Sequence, residues 1–100
     1  MHIELTTNAR RRLVQLIDHH RSEGNPRKGT RTVRTIIKQV RKLSQHPKLG
    51  QVEEYLIREE KGHRYLLVER IYKVIYLVHA SRIVITDVFD VRQDPSKIRG

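Results

Sequence analysis

The feature that most constrains this chain is a change of hydrophobic period near Gln51. Before it, apolar residues recur every three or four positions; after it, they alternate or run together. Ala9, Leu13, Leu16 and Ile17 form one stripe, and Val33, Ile36, Ile37, Val40 and Leu43 form a second. That spacing belongs to helices with a single buried face. Thr6 and Thr7 offer a hydroxyl cap to the first helix, which is expected to run to about Ser22 with Gly24 as its stop. Asn25-Pro26 reads as the cap and first residue of the second helix, and Pro47 and Gly50 end it. Two helices joined by so tight a turn make an αα-hairpin.

The flanking segments read as strands. His2–Leu5 alternates enough for a short one. Val52–Ile57 is a weak candidate, whereas Arg64–Glu69 and Ile71–His79 are rich in Val, Ile, Leu and Tyr. "HASR" is a hairpin turn, and Arg82–Val91 is the last strand. Glu69-Arg70 contains neither glycine nor asparagine, so its turn type is left open. Short connections imply antiparallel pairing. Residues 1–100 are therefore expected to form one α+β domain, with the order β-α-α-β-β-β and the helical hairpin packed on one face of a small antiparallel sheet.

Alternation also divides the strands into faces. Arg64, Leu66 and Val68 share one face, and Lys73, Ile75 and Leu77 share one face of the next strand. Tyr72, Val74, Tyr76 and Val78 carry no charge and are expected against the helices. The Arg64/Lys73 side is then a helix-free face, half apolar and half cationic, suited to an amphipathic partner.

Composition excludes several chemistries. Apolar residues make up 37% of the chain and only five are aromatic, so the core is thin and aliphatic. The absence of cysteine removes disulfides, thiolate nucleophiles and cysteine-ligated zinc. The longest apolar run, Val74–Val78, is too short to span a bilayer, and the N-terminus lacks a signal-peptide core. A cytoplasmic protein without membrane contact, metal or cofactor is expected. His19-His20 cannot share a helix face as ligands four residues apart would, and read as surface residues. His63 and His79 read as solvated strand-end residues, with general-base chemistry as the sharper alternative. Glu53-Glu54 and Glu59-Glu60 read as solubilising acids, and Tyr55, Tyr65, Tyr72 and Tyr76 as core.

Charge is unevenly placed. Residues 1–50 hold 12 Lys or Arg against three acids, a balance of +9, whereas residues 51–100 hold nine against eight, only +1. Arg31, Arg34, Lys38 and Arg41 stand on the polar side of the second helix. Such a directed basic surface suits nucleic acid, ribosome or an acidic protein.

The basic helical hairpin, "HPKLG" after it, "RYLLV..IYKVIYLV" and the closing "RIVITDVFDVRQDP" together resemble toxins of the RelE/ParE superfamily. The resemblance implies the toxin of a type II toxin–antitoxin module, neutralised by a cognate acidic antitoxin. ParE-like members poison DNA gyrase, and RelE-like members cut ribosome-bound mRNA. On the RelE pattern, Arg64, Lys73 and Arg92 fall at the cationic positions. Leu66 replaces a lysine, and no tyrosine follows Arg92, so the catalytic set is depleted. The leading expectation is a ParE-like, gyrase-directed toxin. The alternatives are an altered endoribonuclease using Arg64, Lys73 and Arg92, and a non-toxic basic nucleic-acid-binding module. Leu66, Val68, Ile75 and Leu77 are the expected antitoxin floor.

Overall fold

The computed structural model describes residues 1–100. Strand β1 (His2–Leu5) leads into helices α1 (Thr7–Ser22) and α2 (Pro26–Arg41), followed by strands β2 (Gln51–Val52), β3 (Arg64–Val68), β4 (Tyr72–His79) and β5 (Arg82–Asp90). The sheet order is β1-β5-β4-β3-β2. β2, β3, β4 and β5 pair antiparallel as expected, but β1 lies parallel to β5, so the sheet is mixed. The expected strand over 52–57 is only two residues long. Glu54–Glu59 instead forms a 3-10 helix, begun by the Glu53 carboxylate accepting from the Tyr55 amide.

Local chemistry explains the helix boundaries. The Thr6 hydroxyl accepts from the Ala9 amide at 3.1 Å and also donates to the Thr86 carbonyl at 3.2 Å. It therefore caps α1 and ties that cap to β5. The helices pack closely where Gly29 meets α1, because a Cβ there would stand 3.1 Å from the Ile17 Cα. Ala9, Leu16, Ile36, Val40 and Leu43 descend from the hairpin onto Val68, Tyr72, Val74, Tyr76, Ile83, Ile85 and Val88 of the sheet. His20, expected on the surface, is buried in this layer beside the Tyr72 hydroxyl at 3.5 Å. A residue late on α1 and spaced with Leu13, Leu16 and Ile17 points inward whatever its polarity.

The β3–β4 register corrects the facing of β3. Val68 pairs with Tyr72, Leu66 with Val74 and Arg64 with Tyr76. Directly paired residues share a sheet face, so Leu66 and Val68 lie on the helix side, within or against the main core. Tyr65 and Leu67 take their place beside Lys73 and Ile75. The connection responsible has three residues, Glu69, Arg70 and Ile71, and the first two have positive φ, 55° and 59°. The Ile71 amide closes it on the Val68 carbonyl at 3.1 Å. This is the backbone of a type I′ turn, built without the glycine or asparagine it favours.

Candidate functional site

The three cations of the ribonuclease reading are not brought together. Arg64 lies on the helix side and donates from Nη1 to the Gly50 carbonyl at 2.8 Å. Lys73 is on the opposite face, and its cross-strand partner Leu67 is three residues along β3 from Arg64, about 10 Å at the rise of a strand. Arg92 follows β5 and forms a doubly bonded pair with Asp90, from Nη2 to Oδ2 at 2.7 Å and from Nε to Oδ1 at 3.0 Å. That pairing holds the Asp90 carboxyl below its ordinary pKa and the Arg92 guanidinium above its own.

Lys73 is also neutralised. Its Nζ donates to Glu53 at 3.1 Å and sits 4.4 Å from the centre of the Tyr65 ring and 5.6 Å from that of Tyr55. Glu53, read as a solubilising acid, is only 1% exposed. Tyr55, read as core, is 62% exposed and forms the outer wall of this arrangement. Nearby His63 is 2% exposed rather than solvated, and neither ring nitrogen has a hydrogen-bond partner. Burial lowers its pKa, against the opposing pull of Glu59, whose carboxylate lies 3.8 Å away.

The helix-free face is not open. Lys73, Ile75 and Leu77 do lie there, but Ile75 is buried with Phe89 under Leu56 of the 3-10 helix and Ile98 of the C-terminal segment. Several bonds hold that segment down. The Arg99 amide donates to Asp87 Oδ2 at 2.8 Å, the Thr86 hydroxyl to the Arg99 carbonyl at 3.1 Å, and Arg12 Nη2 to the Lys97 carbonyl at 3.3 Å. The four residues expected to form one apolar floor are thus split. Leu66 and Val68 face the helices, Ile75 is sealed beneath the chain's own end, and Leu77 alone remains half-exposed there.

An apolar concavity lies elsewhere, between β1 and the helical hairpin. Its volume is about 190 Å³, and Leu5, Leu13, Ile37, Val40, Ile85 and Val88 are among its lining residues, with Arg41 at its rim. β1 has only four residues, so it cannot roof the space between the sheet edge and α2. Ile37, expected in the core, consequently stays 42% exposed. On the outer side of α2, Arg31, Arg34 and Lys38 are exposed as expected, and Arg41 is exposed where that side borders the slot.

A strand, a helical hairpin and a four-stranded meander in this order, with a basic hairpin and an apolar slot beside it, match one family model. It is the ParE toxin of the type II toxin–antitoxin system, over residues 3–95. The chain belongs to the ParE toxin family. A solved structure described as the chromosomal ParDE toxin–antitoxin system from P. aeruginosa superimposes on this ParE-family chain with a TM-score of 0.76 and 26% identity, covering 91% of this chain and 96% of that one. No curated protein sequence matches it. No helix of this ParE-family toxin is long and apolar enough to cross a membrane.

Two features of this toxin escaped the sequence reading for physical reasons. The apolar slot was signalled by the width of the α2 stripe, since Val33, Ile36, Ile37 and Val40 are more than one sheet face covers. The burial of Glu53 and His63 carried no signal, because each sits beside charged residues and is enclosed by elements distant in sequence, whereas Asp87 is the lone acid inside an apolar run.

Proposed function

We propose that this toxin arrests growth by binding DNA gyrase, and that a cognate acidic antitoxin holds it inactive by seating apolar side chains in the slot between β1, α1 and α2. Membership of the ParE family carries the reading. The separation of Arg64, Lys73 and Arg92 supports action by contact over RNA cleavage. Cleavage needs a phosphate's charge neutralised and protons moved at one place, whereas here each cation is bound to a different partner. The slot supports the docking surface, since a monomer seldom leaves a contiguous aliphatic hollow without a use for it, and Arg41 at its rim suits an acidic partner.

The test has two arms. Purified toxin should block supercoiling of relaxed plasmid by gyrase, and its induction should raise DNA damage. Rapid loss of translated mRNA with supercoiling intact would transfer the assignment to ribonuclease action. For docking, Ile37→Asp should fold normally and bind a cognate acidic antitoxin about thirtyfold more weakly, as loss of a central anchor does. Unchanged affinity would place docking elsewhere.

A further inference from the structure

Five cations form a single line on the solvent side of α2. Arg27, Arg31, Arg34, Lys38 and Arg41 are spaced by four, three, four and three residues and are all exposed. Steps of three and four keep side chains on one helix face, so the row runs straight for about 21 Å at the rise of an α-helix. It lies opposite the buried stripe of Gly29, Thr32, Ile36 and Val40. None of the five joins any ion pair in the molecule. No acid occurs between Glu23 and Glu53 to balance them.

The row works against the helix that carries it. Like charges three and four residues apart repel, and the first turn holds Arg27 where the helix dipole favours an acid. No core contact requires these side chains. A local choice that opposes the fold it sits in marks a functional constraint.

We propose that this face of α2 binds the phosphate backbone of duplex DNA without reading its sequence, a contact distinct from those with gyrase and antitoxin except at Arg41, which also borders the slot. Backbone binding needs cations alone, held in a row against regularly spaced phosphates. Four of the five are arginines, whose planar fork suits phosphate oxygens. An acidic protein partner would require apolar anchors at the centre of its footprint. The row has none, and Ile37, the exposed aliphatic residue of α2, turns into the slot instead. A single strand would call for aromatic stacking platforms, which α2 lacks. Duplex RNA is gripped largely through its 2′-hydroxyls, whereas a row of cations alone engages phosphates.

The experiment is fluorescence anisotropy of the full chain with a short labelled DNA duplex, without gyrase or antitoxin. Binding should be measurable at 50 mM salt and weaken about a hundredfold or more by 200 mM, the dependence of four to five phosphate contacts. The triple variant R31E/R34E/K38E should lose at least tenfold in affinity and flatten the salt slope by about three, with an unchanged melting curve. The charge-matched variant R10E/R11E/R58E, whose residues lie off α2, should retain most of the binding. Equal losses in both variants would reduce the effect to net charge and overturn the assignment to α2. No binding at 50 mM salt would overturn the proposal outright. Tighter binding of polyglutamate would assign the row to an acidic protein, and preference for an RNA duplex would assign it to RNA.

Discussion

Arg12 on α1 donates from Nε to Oδ1 of Asp87 on β5 at 3.0 Å, and Asp87 is completely buried. The contact is possible because β1 stops at Leu5, opposite Ile85. Beyond that point the edge of β5 is bare, and the first turns of α1 close over it. Asn8 and Thr6 take the Thr86 carbonyl, and Arg12 takes the carboxylate of the next residue. The other Asp87 oxygen accepts from the Arg99 amide, so one side chain joins a helix, a strand and the C-terminal segment. Asp87→Ala should cost about 3–5 kcal/mol, the loss typical when one member of a buried pair is removed. Urea unfolding of the single variants and of the double variant with Arg12→Ala gives the coupling, expected above about 1 kcal/mol.

The facing of β3 has a direct test. Val68→Asp should abolish folding, because it places an unpaired charge in the main core. Leu67→Asp, at a site 53% exposed, should stay within about 0.5 kcal/mol of the parent. Melting curves separate the two. Equal behaviour would contradict the observed register.

His63 gives stability a pH dependence of definite sign. Burial lowers its folded-state pKa below the ordinary 6.5, outweighing Glu59 and Glu53, which pull it upward, while Lys61 adds to the lowering. The unfolded chain therefore takes up a proton first as pH falls. Stability contributed by neutral His63 is complete above pH 6.5 and declines from there toward the depressed folded pKa, by at most about 1.4 kcal/mol per pH unit. His63→Leu should remove that slope between pH 7 and 5. Parallel stability profiles for parent and variant would show that His63 does not titrate differently on folding.

Arg70 occupies a left-handed backbone conformation that an L-residue adopts at a cost. Arg70→Gly should raise stability by about 0.5–1 kcal/mol, seen as a melting point a few degrees higher. Glu69 has the same strain, yet its replacement should be harmful. Its Oε2 accepts from the hydroxyl of buried Thr32 on α2 at 3.2 Å, tying the turn to the helix.

Tyr76 is enclosed with its hydroxyl engaged twice, donating to the Pro47 carbonyl at 2.8 Å and accepting from the Gly50 amide at 2.9 Å. Burial raises its pKa, so it remains a phenol across the usable pH range. Tyr76→Phe should cost about 1–3 kcal/mol by stranding those groups. Gly50→Ala should be at least as damaging, because its Cβ would stand 2.6 Å from the Tyr65 carbonyl oxygen. Chemical denaturation of each variant checks both.

The helices were legible because their period is repeated over several turns and their ends carry hydroxyl, proline and glycine signals. The main strands were legible from their β-branched and aromatic content. The facing of β3 was not, because Leu66, Leu67 and Val68 are all apolar and alternation is silent there. Turn length held the missing information. The three-residue connection Glu69–Ile71 sets Val68 opposite Tyr72 and so puts Leu66 with Val74. The parallel pairing of β1 joins residues about 80 positions apart, beyond any local pattern. The candidate cations were visible as residue types, but their partners Gly50, Glu53 and Asp90 fixed their separation, and only the last lies close by in sequence, two residues away.

The position of β5 within the sheet also bears on synthesis. β5 stands between β1 and β4, so β1 leaves the ribosome well before the strand it pairs with. Until residues 82–90 emerge, His2–Leu5 has no partner. The floor of the apolar slot, to which Ile85 and Val88 contribute, does not yet exist. Contacts of such long sequence separation form late. A nascent chain therefore carries the basic α2 row well before it carries the slot, and the surface that an antitoxin would grip is completed only with the finished fold.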